Sequence, residues 1–218
     1  MIQSIECPRK ITSQAPVLFI PNVLDGDFCR HLIHLWETEG NCDSGAMVEE
    51  NGKLKEVFDH KQTIRREHTV RNEETLERLI KVIRDRVRPE IQKAFHFNIT
   101  QVEGFTVVAY DASTGGYFRP HRDDCLEGTS YRRFAMSLNL SVGEYEGGYL
   151  RFSEYGSDLY QPSTGTALIF SCSLLHEATE VTKGRRFVLV SMFYGEQEAQ
   201  QLEEYKRRMQ QAREAIPG

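Results

Sequence analysis

The sequence contains no long apolar run. A transmembrane helix needs about 18 or more consecutive apolar residues, and no stretch of the chain reaches that length. The first 16 residues also lack the apolar segment that secretory signal peptides carry. These two absences predict a cytoplasmic protein without a membrane partner.

Cysteines are few and irregularly spaced. No CxxC motif occurs, so the thiol pairs that commonly hold zinc are absent. An odd number of scattered cysteines is also a poor disulfide framework, and we interpret them as reduced thiols. Cys125 and Cys172 fall near the site discussed below and are expected to be bystanders; the others are Cys7, Cys29 and Cys42.

An excess of positive charge is absent as well. The 27 basic and 32 acidic residues give a formal net charge of −5, whereas binding to a phosphate backbone needs concentrated positive charge. We therefore expect no nucleic-acid partner. The basic segment 60–68 is an exception with two interpretations: a solvated loop, or a contact to an anionic substrate through Lys61, Arg65 or Arg66.

The length of 218 residues suits one domain better than two. The first half predicts two amphipathic helices. One starts after the N-cap residue Asp25 and runs to about Glu39; the other covers residues 72–88, and Pro89 is expected to kink or interrupt it. Residues 1–100 are thus predicted to be a helical support region.

Two shorter features precede and separate these helices. Residues 16–24 predict a short apolar strand. Residues 41–63 are polar, and Asn51-Gly52 indicates a turn, so this segment is either a hairpin or a mobile loop.

From about residue 102 the apolar pattern changes to a period of two, which is typical of strands. Predicted strands lie at 105–110, 134–142, 149–152, 167–170 and 186–194, separated by turns rich in Gly and Pro. Short, closely spaced strands favour a jelly roll. The predicted fold is α+β but mostly β: a double-stranded β-helix core over 101–195, with the N-terminal helices buttressing one sheet from outside.

The C-terminal segment 196–218 predicts a charged helix. Its apolar positions are spaced three and four residues apart over about two heptads, at Leu202, Tyr205, Met209, Ala212 and Ile216. This is too short to establish a coiled coil. Packing on its own domain and a dimer contact both remain open.

His121, Asp123 and His176 form the most informative pattern of the chain. Residues i and i+2 of a strand point to the same side, so His121 and Asp123 can converge while Arg122 points away. Two imidazoles and one carboxylate are the ligands of non-heme iron(II) oxygenase sites. His176 must then come from another strand, which a rolled double sheet provides.

A basic residue follows His176 at a meaningful distance. Arg186 lies ten positions later, after a turn at Lys183-Gly184, where it could hold the far carboxylate of a 2-oxo acid bound to the metal. Arg185 is the alternative, because a shift of one residue in strand register exchanges the two faces. Asp124 is interpreted as a solvated carboxylate.

Three longer segments carry a family resemblance. Residues 115–123 (GGYFRPHRD), 138–152 (LNLSVGEYEGGYLRF) and 162–194 (PSTGTALIFSCSLLHEATEVTKGRRFVLVSMFY) resemble the prolyl 4-hydroxylase-like branch of the iron(II)/2-oxoglutarate-dependent dioxygenases. The similarity covers about residues 105–194. The spaced Gly-Gly pairs and the basic residue ten positions after the second His make this pattern far more specific than the metal ligands alone.

The resemblance implies roles for individual residues. His121, Asp123 and His176 would be the iron ligands, and Arg186 would pair with the C5 carboxylate of 2-oxoglutarate. Tyr110 matches a family tyrosine near the co-substrate, and Asn139 is expected to face the co-substrate or the substrate. The implied cofactors are Fe(II), 2-oxoglutarate and O2, with ascorbate as a candidate reductant.

The implied activity is hydroxylation of an unactivated C–H bond, by family default in a prolyl or other amino-acid residue of a protein or peptide. Two alternatives remain: hydroxylation of a free amino acid or small molecule, and a non-catalytic jelly-roll sensor that binds metal or ligand. Fold resemblance does not choose among substrates. The loops that should decide are 41–70, 111–118 and 124–132.

Overall fold

The computed structural model describes residues 14–50 and 53–214. Within these ranges it has four α-helices, α1 (Gly26–Thr38), α2 (Glu73–Val82), α3 (Arg88–Phe95) and α4 (Glu196–Glu214). Its strands are β1 (Leu18–Ile20), β2 (Cys42–Asp43), β3 (Ala46–Glu50), β4 (Lys53–Val57), β5 (Thr63–Ile64), β6 (Arg66–Thr69), β7 (Gln101–Val102), β8 (Thr106–Asp111), β9 (Tyr117–His121), β10 (Phe134–Asn139), β11 (Tyr145–Gly147), β12 (Leu150–Arg151), β13 (Leu159–Tyr160), β14 (Ala167–Ser171), β15 (His176–Ala178) and β16 (Val181–Tyr194).

Two antiparallel sheets form the core. The larger sheet has the order β1-β14-β10-β16-β8-β6-β2, and β7 and β11 also pair with β16. The smaller sheet has the order β13-β12-β15-β9-β5. Strands that are neighbours in space are mostly distant in sequence, as in a rolled double sheet. The predicted jelly roll is confirmed.

Strand β10 shows why the large sheet holds the molecule together. All six of its residues are buried, so both faces of the strand are covered. Met136 and Leu138 face the helices and pack in one cluster with residues of α1, α2 and α3. Full burial of such an apolar side chain is worth about 1.5–3 kcal/mol. The helices therefore buttress this sheet from outside, as predicted, and the opposite face of β10 looks toward the smaller sheet.

The helix boundaries follow local chemistry. The Asp25 side chain caps α1, because its Oδ1 accepts the N–H of Phe28 at 2.7 Å. The predicted interruption at Pro89 takes the form of a π-helical turn over Ile83–Val87, and α3 starts at Arg88 with Pro89 in its first turn. A proline is tolerated there because that N–H has no partner within the helix.

The first 100 residues supply strands as well as helices. β1, β2 and β6 join the large sheet and β5 joins the small one, whereas the sequence predicted a helical support region with one short strand. The hairpin alternative for the polar segment is the one observed, because β3 pairs with β4 from Ala46↔Val57 to Glu50↔Lys53. The predicted turn residues Asn51 and Gly52 lie outside the described residues.

Helix α4 packs on its own domain. Glu198 is buried in its first turn and accepts a hydrogen bond from Arg133 Nε at 2.8 Å. Leu202, Tyr205 and Met209 are half-buried, while Ile216 lies outside the described residues. A dimer contact through this helix stays a prediction. No helix of the described chain is both long and apolar enough to cross a membrane.

Candidate active site

The three predicted metal ligands meet between the two sheets. His121 ends β9 and His176 begins β15, and the two residues are direct partners in the antiparallel pairing of these strands. Asp123 Oδ1 lies 3.6 Å from His121 Nε2, and its Oδ2 lies 3.6 Å from His176 Nε2. One ligand atom from each residue can be chosen so that all three lie within 4.8 Å of one another. This arrangement is a possible iron site.

Hydrogen bonds to the backbone fix the imidazole tautomers. His121 Nδ1 lies 2.8 Å from the carbonyl oxygen of Arg119, and His176 Nδ1 lies 2.9 Å from that of Leu174. A carbonyl oxygen only accepts, so both Nδ1 atoms must carry hydrogen. In the neutral rings, each Nε2 then presents a lone pair toward a carboxylate oxygen of Asp123. Such an arrangement is repulsive unless a cation lies between them, which favours a metal.

The protonation states also suit a metal. Burial alone would raise the pKa of the Asp123 carboxyl, but positive charge on His176, on His121 and on Arg132 outweighs burial and lowers it to about 2. Burial is the main cause that lowers the pKa of His176. Near neutral pH the site therefore offers an ionised carboxylate and a neutral imidazole, the forms that bind metal.

Aromatic neighbours hold the imidazole planes. The Phe118 ring stacks on His121 with ring centroids 3.6 Å apart and an interplanar angle of 15°. The guanidinium of Arg65 also lies over the Phe118 ring, with its Cζ 4.5 Å from the ring centroid. Phe170 meets His176 edge-on at 4.6 Å. These contacts leave the two rings little freedom to rotate away from Asp123.

The side chains around the ligands follow the predicted alternation. Arg122 points away from the metal site, pairing with Glu154 at 2.5 Å and donating to the carbonyl of Ser173. Asp124 is not part of the ligand group; its carboxylate accepts a hydrogen bond from the Ser173 hydroxyl.

The two nearby thiols are outside the ligand group as well. Cys125 is exposed, and its Sγ lies 3.4 Å from the Arg122 carbonyl. Cys172 is fully buried, and burial raises its thiol pKa. Its carbonyl oxygen, rather than its thiol, serves the site by accepting the N–H of Asp123 at 2.9 Å. The remaining described histidines also stay apart from the ligand group; they are His31, His34, His60, His68 and His96.

A cavity of about 520 Å³ opens beside the three ligands, and Arg186 forms part of its inner wall. Only 2% of Arg186 is exposed. Its Nη2 donates to Asn139 Oδ1 at 3.3 Å, while its Nε has no hydrogen-bond partner. Among the described residues no carboxylate forms an ion pair with it. A buried guanidinium without an acidic partner is strongly unfavourable, so this wall fits a ligand that brings a carboxylate.

Strand register decides between the two arginines. Arg186 is opposite Tyr110, whose ring centroid lies 5.4 Å from the guanidinium carbon, and both side chains line the cavity. Arg185 is opposite Asp111 on the other face and donates to Asp111 Oδ2 at 2.6 Å. The inward-facing charge is therefore Arg186.

The Gly-Gly pair of the sequence motif makes room for this arginine. Gly148 has a φ of +62°, and a Cβ at this position would lie 2.7 Å from Arg186 Cδ and 2.8 Å from Val181 Cγ2. Both the left-handed backbone and the lack of space require glycine. The motif thus has a direct structural reason in the position of Arg186.

Asn139 is fully buried beside Arg186. Its side chain is 1% exposed and donates from Nδ2 to the Pro162 carbonyl at 2.7 Å. This bond turns the Oδ1 atom toward Arg186. Asn139 is a neighbour of Arg186 and is not among the residues that line the cavity.

The basic segment divides into three different environments. Arg65 lines the cavity and donates from Nε to the Ser44 hydroxyl at 3.1 Å. Arg66 points elsewhere and pairs with Asp43 at 3.0 Å, and Lys61 is exposed. Of the three, only Arg65 is in a position to touch a bound molecule.

Two residues of the site escaped the sequence analysis. Phe118 lies three positions before His121, and Arg132 donates to the main-chain carbonyl of Asp123. Phe118 could have been noticed because only Arg119 and Pro120 separate it from the ligand His121. Nothing in the apolar pattern marks Arg132.

These features define the class of the protein: a double-stranded β-helix with a two-histidine, one-carboxylate metal site and a buried cation beside it. Sequence comparison agrees with this class. The profile described as "2OG-Fe(II) oxygenase superfamily" matches residues 105–194. A curated relative from Caenorhabditis elegans, a multifunctional procollagen lysine hydroxylase and glycosyltransferase, is 31% identical over 110 residues. That match spans 48% of this chain but 14% of the relative, so the chain covers only a small part of that protein.

Solved structures show the same fold at low sequence identity. The viral collagen prolyl hydroxylase of Paramecium bursaria Chlorella virus-1, in its 2-oxoglutarate complex, superposes with a TM-score of 0.60 at 18% identity, covering 85% of this chain and 99% of its own. A Pseudomonas putida prolyl-4-hydroxylase gives 0.60 at 16%, with 84% and 94% covered. A Trichoplax adhaerens prolyl hydroxylase, bound to a hypoxia-inducible factor peptide, gives 0.62 at 16%, with 85% and 86% covered.

Residues 105–194 therefore match the 2OG-Fe(II) oxygenase superfamily, in a fold that is shared with prolyl hydroxylases of known structure. This family match implies Fe(II), 2-oxoglutarate and O2 for the matched residues, and His121, Asp123 and His176 form a possible iron site there. The resemblance seen in the sequence is confirmed.

Proposed function

We propose that the protein hydroxylates a prolyl residue within a peptide or protein. Iron(II) would be held by His121, Asp123 and His176, and the C5 carboxylate of 2-oxoglutarate by Arg186. With 2-oxoglutarate and O2, such an iron centre supplies the oxidising power that converts C–H into C–OH, with release of succinate and carbon dioxide. The observation that carries the proposal is the cavity, whose wall holds the buried cation Arg186 and whose lining includes a group of hydrophobic side chains.

The inner wall supports binding of the co-substrate. Arg186 can donate two hydrogen bonds to a carboxylate from its planar guanidinium, and Asn139 keeps that group oriented without neutralising its charge. Tyr110 lies directly across from Arg186 and narrows the space around the carboxylate. Burial of Arg186 excludes water, which strengthens its attraction for an anion.

The outer part of the cavity supports an apolar substrate group. A volume of about 520 Å³ lies within the usual range of about 300–1,000 Å³ for ligand pockets and exceeds what one small co-substrate fills. Beside its charged residues, the lining has a group of hydrophobic side chains: Met47, Val48, Val57, Phe118, Leu126 and Met192. A pyrrolidine ring can bury its methylene groups against such a surface.

The charges in the lining favour proline over lysine. Glu103 is paired with Arg132, Glu67 lies 3.8 Å from Arg65, and Asp59 accepts the N–H of Lys61 at 2.9 Å near the rim. A lysyl ammonium entering the cavity would have to compete with Arg132 for Glu103 and with Arg65 for Glu67, while Asp59 keeps its charge but is exposed at the rim. Burying the ammonium deeper than Asp59 would therefore be costly. The C. elegans relative is named a lysine hydroxylase and the structural neighbours prolyl hydroxylases; the lining supports the second.

The test compares matched peptides. Iron-loaded protein with 2-oxoglutarate and O2 would be incubated with a library of peptides that carry proline or lysine at one position. We expect peptides to gain one oxygen at proline and to accelerate succinate release, with neither effect in His176→Ala. Hydroxylation of free proline in preference to every peptide would support the small-molecule alternative, and hydroxylation at lysine would contradict our reading of the lining.

A second measurement separates an enzyme from a sensor. Anaerobic addition of iron(II) and 2-oxoglutarate should give the weak visible charge-transfer band of the chelate, and O2 should then release succinate. A band without succinate would support the sensor alternative. Absence of the band in reconstituted protein would contradict the co-substrate assignment itself.

A further inference from the structure

Arg132 makes an unusual set of contacts behind the metal site. Its Nη1 donates to the main-chain carbonyl oxygen of Asp123 at 3.2 Å. Its Nε donates to Glu103 Oε2 at 2.7 Å, and its Nη2 donates to Glu103 Oε1. One guanidinium therefore joins the ligand segment to a carboxylate 20 positions earlier in the chain.

The bidentate pair with Glu103 fixes the plane of this guanidinium. Two parallel N–H···O bonds define the orientation of an arginine far better than a single bond does. Glu103 is itself held to the large sheet, because its N–H donates to the Met192 carbonyl at 2.9 Å. The side chains of Arg132 and Glu103 are 18% and 29% exposed, so water competes only in part for these contacts.

The peptide groups on both sides of the Asp123 α-carbon are thereby restrained. The N–H of Asp123 donates to the Cys172 carbonyl at 2.9 Å, and its own carbonyl accepts from Arg132. Asp123 lies two residues after the end of β9, so the hydrogen bonds between paired strands do not restrain its backbone. We propose that Arg132, oriented by Glu103, is a positioning residue for the metal ligand Asp123 and thereby sets the affinity of the site for iron(II).

The next residue provides a matched control. Arg133 also forms an ion pair, with Nε 2.8 Å from Glu198 Oε1, but this pair joins β10 to α4 and its side chain contacts none of the three ligands. Removing either arginine costs one ion pair near the start of the same strand. Only the loss of Arg132 removes a bond to Asp123.

The experiment measures metal binding without turnover. Metal-free wild type, Arg132→Met, Glu103→Gln and Arg133→Met would be titrated with Mn(II), using the EPR signal of the free ion to obtain Kd. Loss of a group that orients a metal ligand typically lowers metal affinity by about 10–100-fold. We expect a rise in Kd of that size for Arg132→Met, a smaller rise for Glu103→Gln, and a Kd within about twofold of wild type for Arg133→Met.

Two further measurements keep the result clear. The position and intensity of the anaerobic iron(II)–2-oxoglutarate band should change in Arg132→Met, because the carboxylate approaches the metal differently, and should not change in Arg133→Met. Arg132→Lys should recover part of the metal affinity but not all, since one ammonium cannot bind Glu103 in bidentate fashion and also reach Asp123.

Each outcome bears on the proposal. An Mn(II) Kd in Arg132→Met equal to wild type would overturn it, as would an equal rise in Arg133→Met. Unchanged metal affinity with a raised peptide KM would show instead that Arg132, which lines the cavity, acts on the substrate. Should Arg132→Met fail to fold, Glu103→Gln still decides the question. Because no step involves a peptide, the result is independent of which substrate is hydroxylated.

Discussion

The inner and outer halves of the cavity are built in different ways. The inner half consists of central strands: Arg186 and Tyr110 are register partners on β16 and β8. The outer half includes the β3–β4 hairpin and the loop residues Cys125 and Leu126. The hairpin and this loop are in contact; for example, the Glu127 N–H donates to Glu49 Oε2 at 2.9 Å. Central strands cannot shift without breaking the core, whereas a hairpin with its own two-stranded sheet can vary. We therefore expect changes in the sheet to affect the chemistry and changes in the periphery to affect the choice of substrate.

The largest effect expected inside the sheet is on Arg186. Arg186→Ala should raise the 2-oxoglutarate KM by on the order of 30-fold or more, because truncating one partner of a buried charged pair costs about 2–5 kcal/mol. Iron(II) binding should be nearly unchanged. Succinate release at varied 2-oxoglutarate measures the first, and Mn(II) titration the second. Arg185→Ala is the control, since its side chain faces Asp111; a larger effect in Arg185→Ala would reverse the assignment.

A smaller effect is expected from a single-atom change beside that arginine. Asn139→Asp puts a carboxylate where Oδ1 now accepts from Arg186, and the internal ion pair would compete with the co-substrate. The 2-oxoglutarate KM should rise about tenfold above that of Asn139→Ala, equivalent to about 1.4 kcal/mol. Asn139→Ala loses the same bond to Pro162 but leaves the charge free. Equal KM values in the two variants would show that Asn139 acts through packing alone.

Changes in the outer half should raise the KM for the peptide and leave the KM for 2-oxoglutarate unchanged. The double change Met47→Ser and Val48→Ser removes apolar surface from the hairpin face of the cavity. Each Å² of apolar surface that a bound peptide buries contributes about 25 cal/mol. Loss of the surface that the peptide partly contacts should therefore raise the peptide KM several-fold, with no change in the 2-oxoglutarate KM. Lys55→Ser, on the same hairpin and paired with Glu50 on the surface, is the control. A changed 2-oxoglutarate KM would remove the distinction between the two halves.

The smallest effect concerns pH. Burial keeps the pKa of His176 in the folded, metal-free protein below the value of about 6.5 in the unfolded chain. The unfolded form then binds more protons, so the stability contributed by neutral His176 is complete above about pH 6.5 and falls as pH drops below it. The fall in Tm from pH 7.5 to 5.5 should be larger for wild type than for His176→Ala. An identical fall would mean that His176 gains no stability from being neutral.

The contrast between the inner and outer halves of the cavity also explains which features the sequence could predict. His121, Asp123, His176 and Arg186 lie on strands whose period of two sets the direction of each side chain, and their spacing matches a family pattern. The hairpin over residues 46–57 is mostly exposed and has no apolar alternation, so the sequence left a mobile loop as an alternative. The contact of Arg132 with Asp123 depends on a turn between them, which no period describes.

Other differences have similar causes. Pro89 was expected to kink or interrupt the second helix, and the interruption extends back over Ile83–Val87. A proline has no N–H for the helix ladder and its ring clashes with the carbonyl four residues earlier, here that of Asp85, so the irregular turn forms before the proline. That Asn139 faces the co-substrate or the substrate stays a prediction. The sequence could not show that its Nδ2 donates to the Pro162 carbonyl, because this partner lies 23 positions later in the chain.

Because Arg186 is buried and no carboxylate of the described residues forms an ion pair with it, the stability of the folded state should depend on the concentration of small dicarboxylates. A ligand that binds only the native form adds RT ln(1 + [L]/Kd) to its stability, about 2.7 kcal/mol at a hundred times Kd. Any small dicarboxylate that reaches Arg186, including the succinate released by turnover, would share in this effect. The resistance of the protein to unfolding and proteolysis should therefore rise and fall with the dicarboxylate concentration around it, and preparations stripped of such acids should be the most fragile.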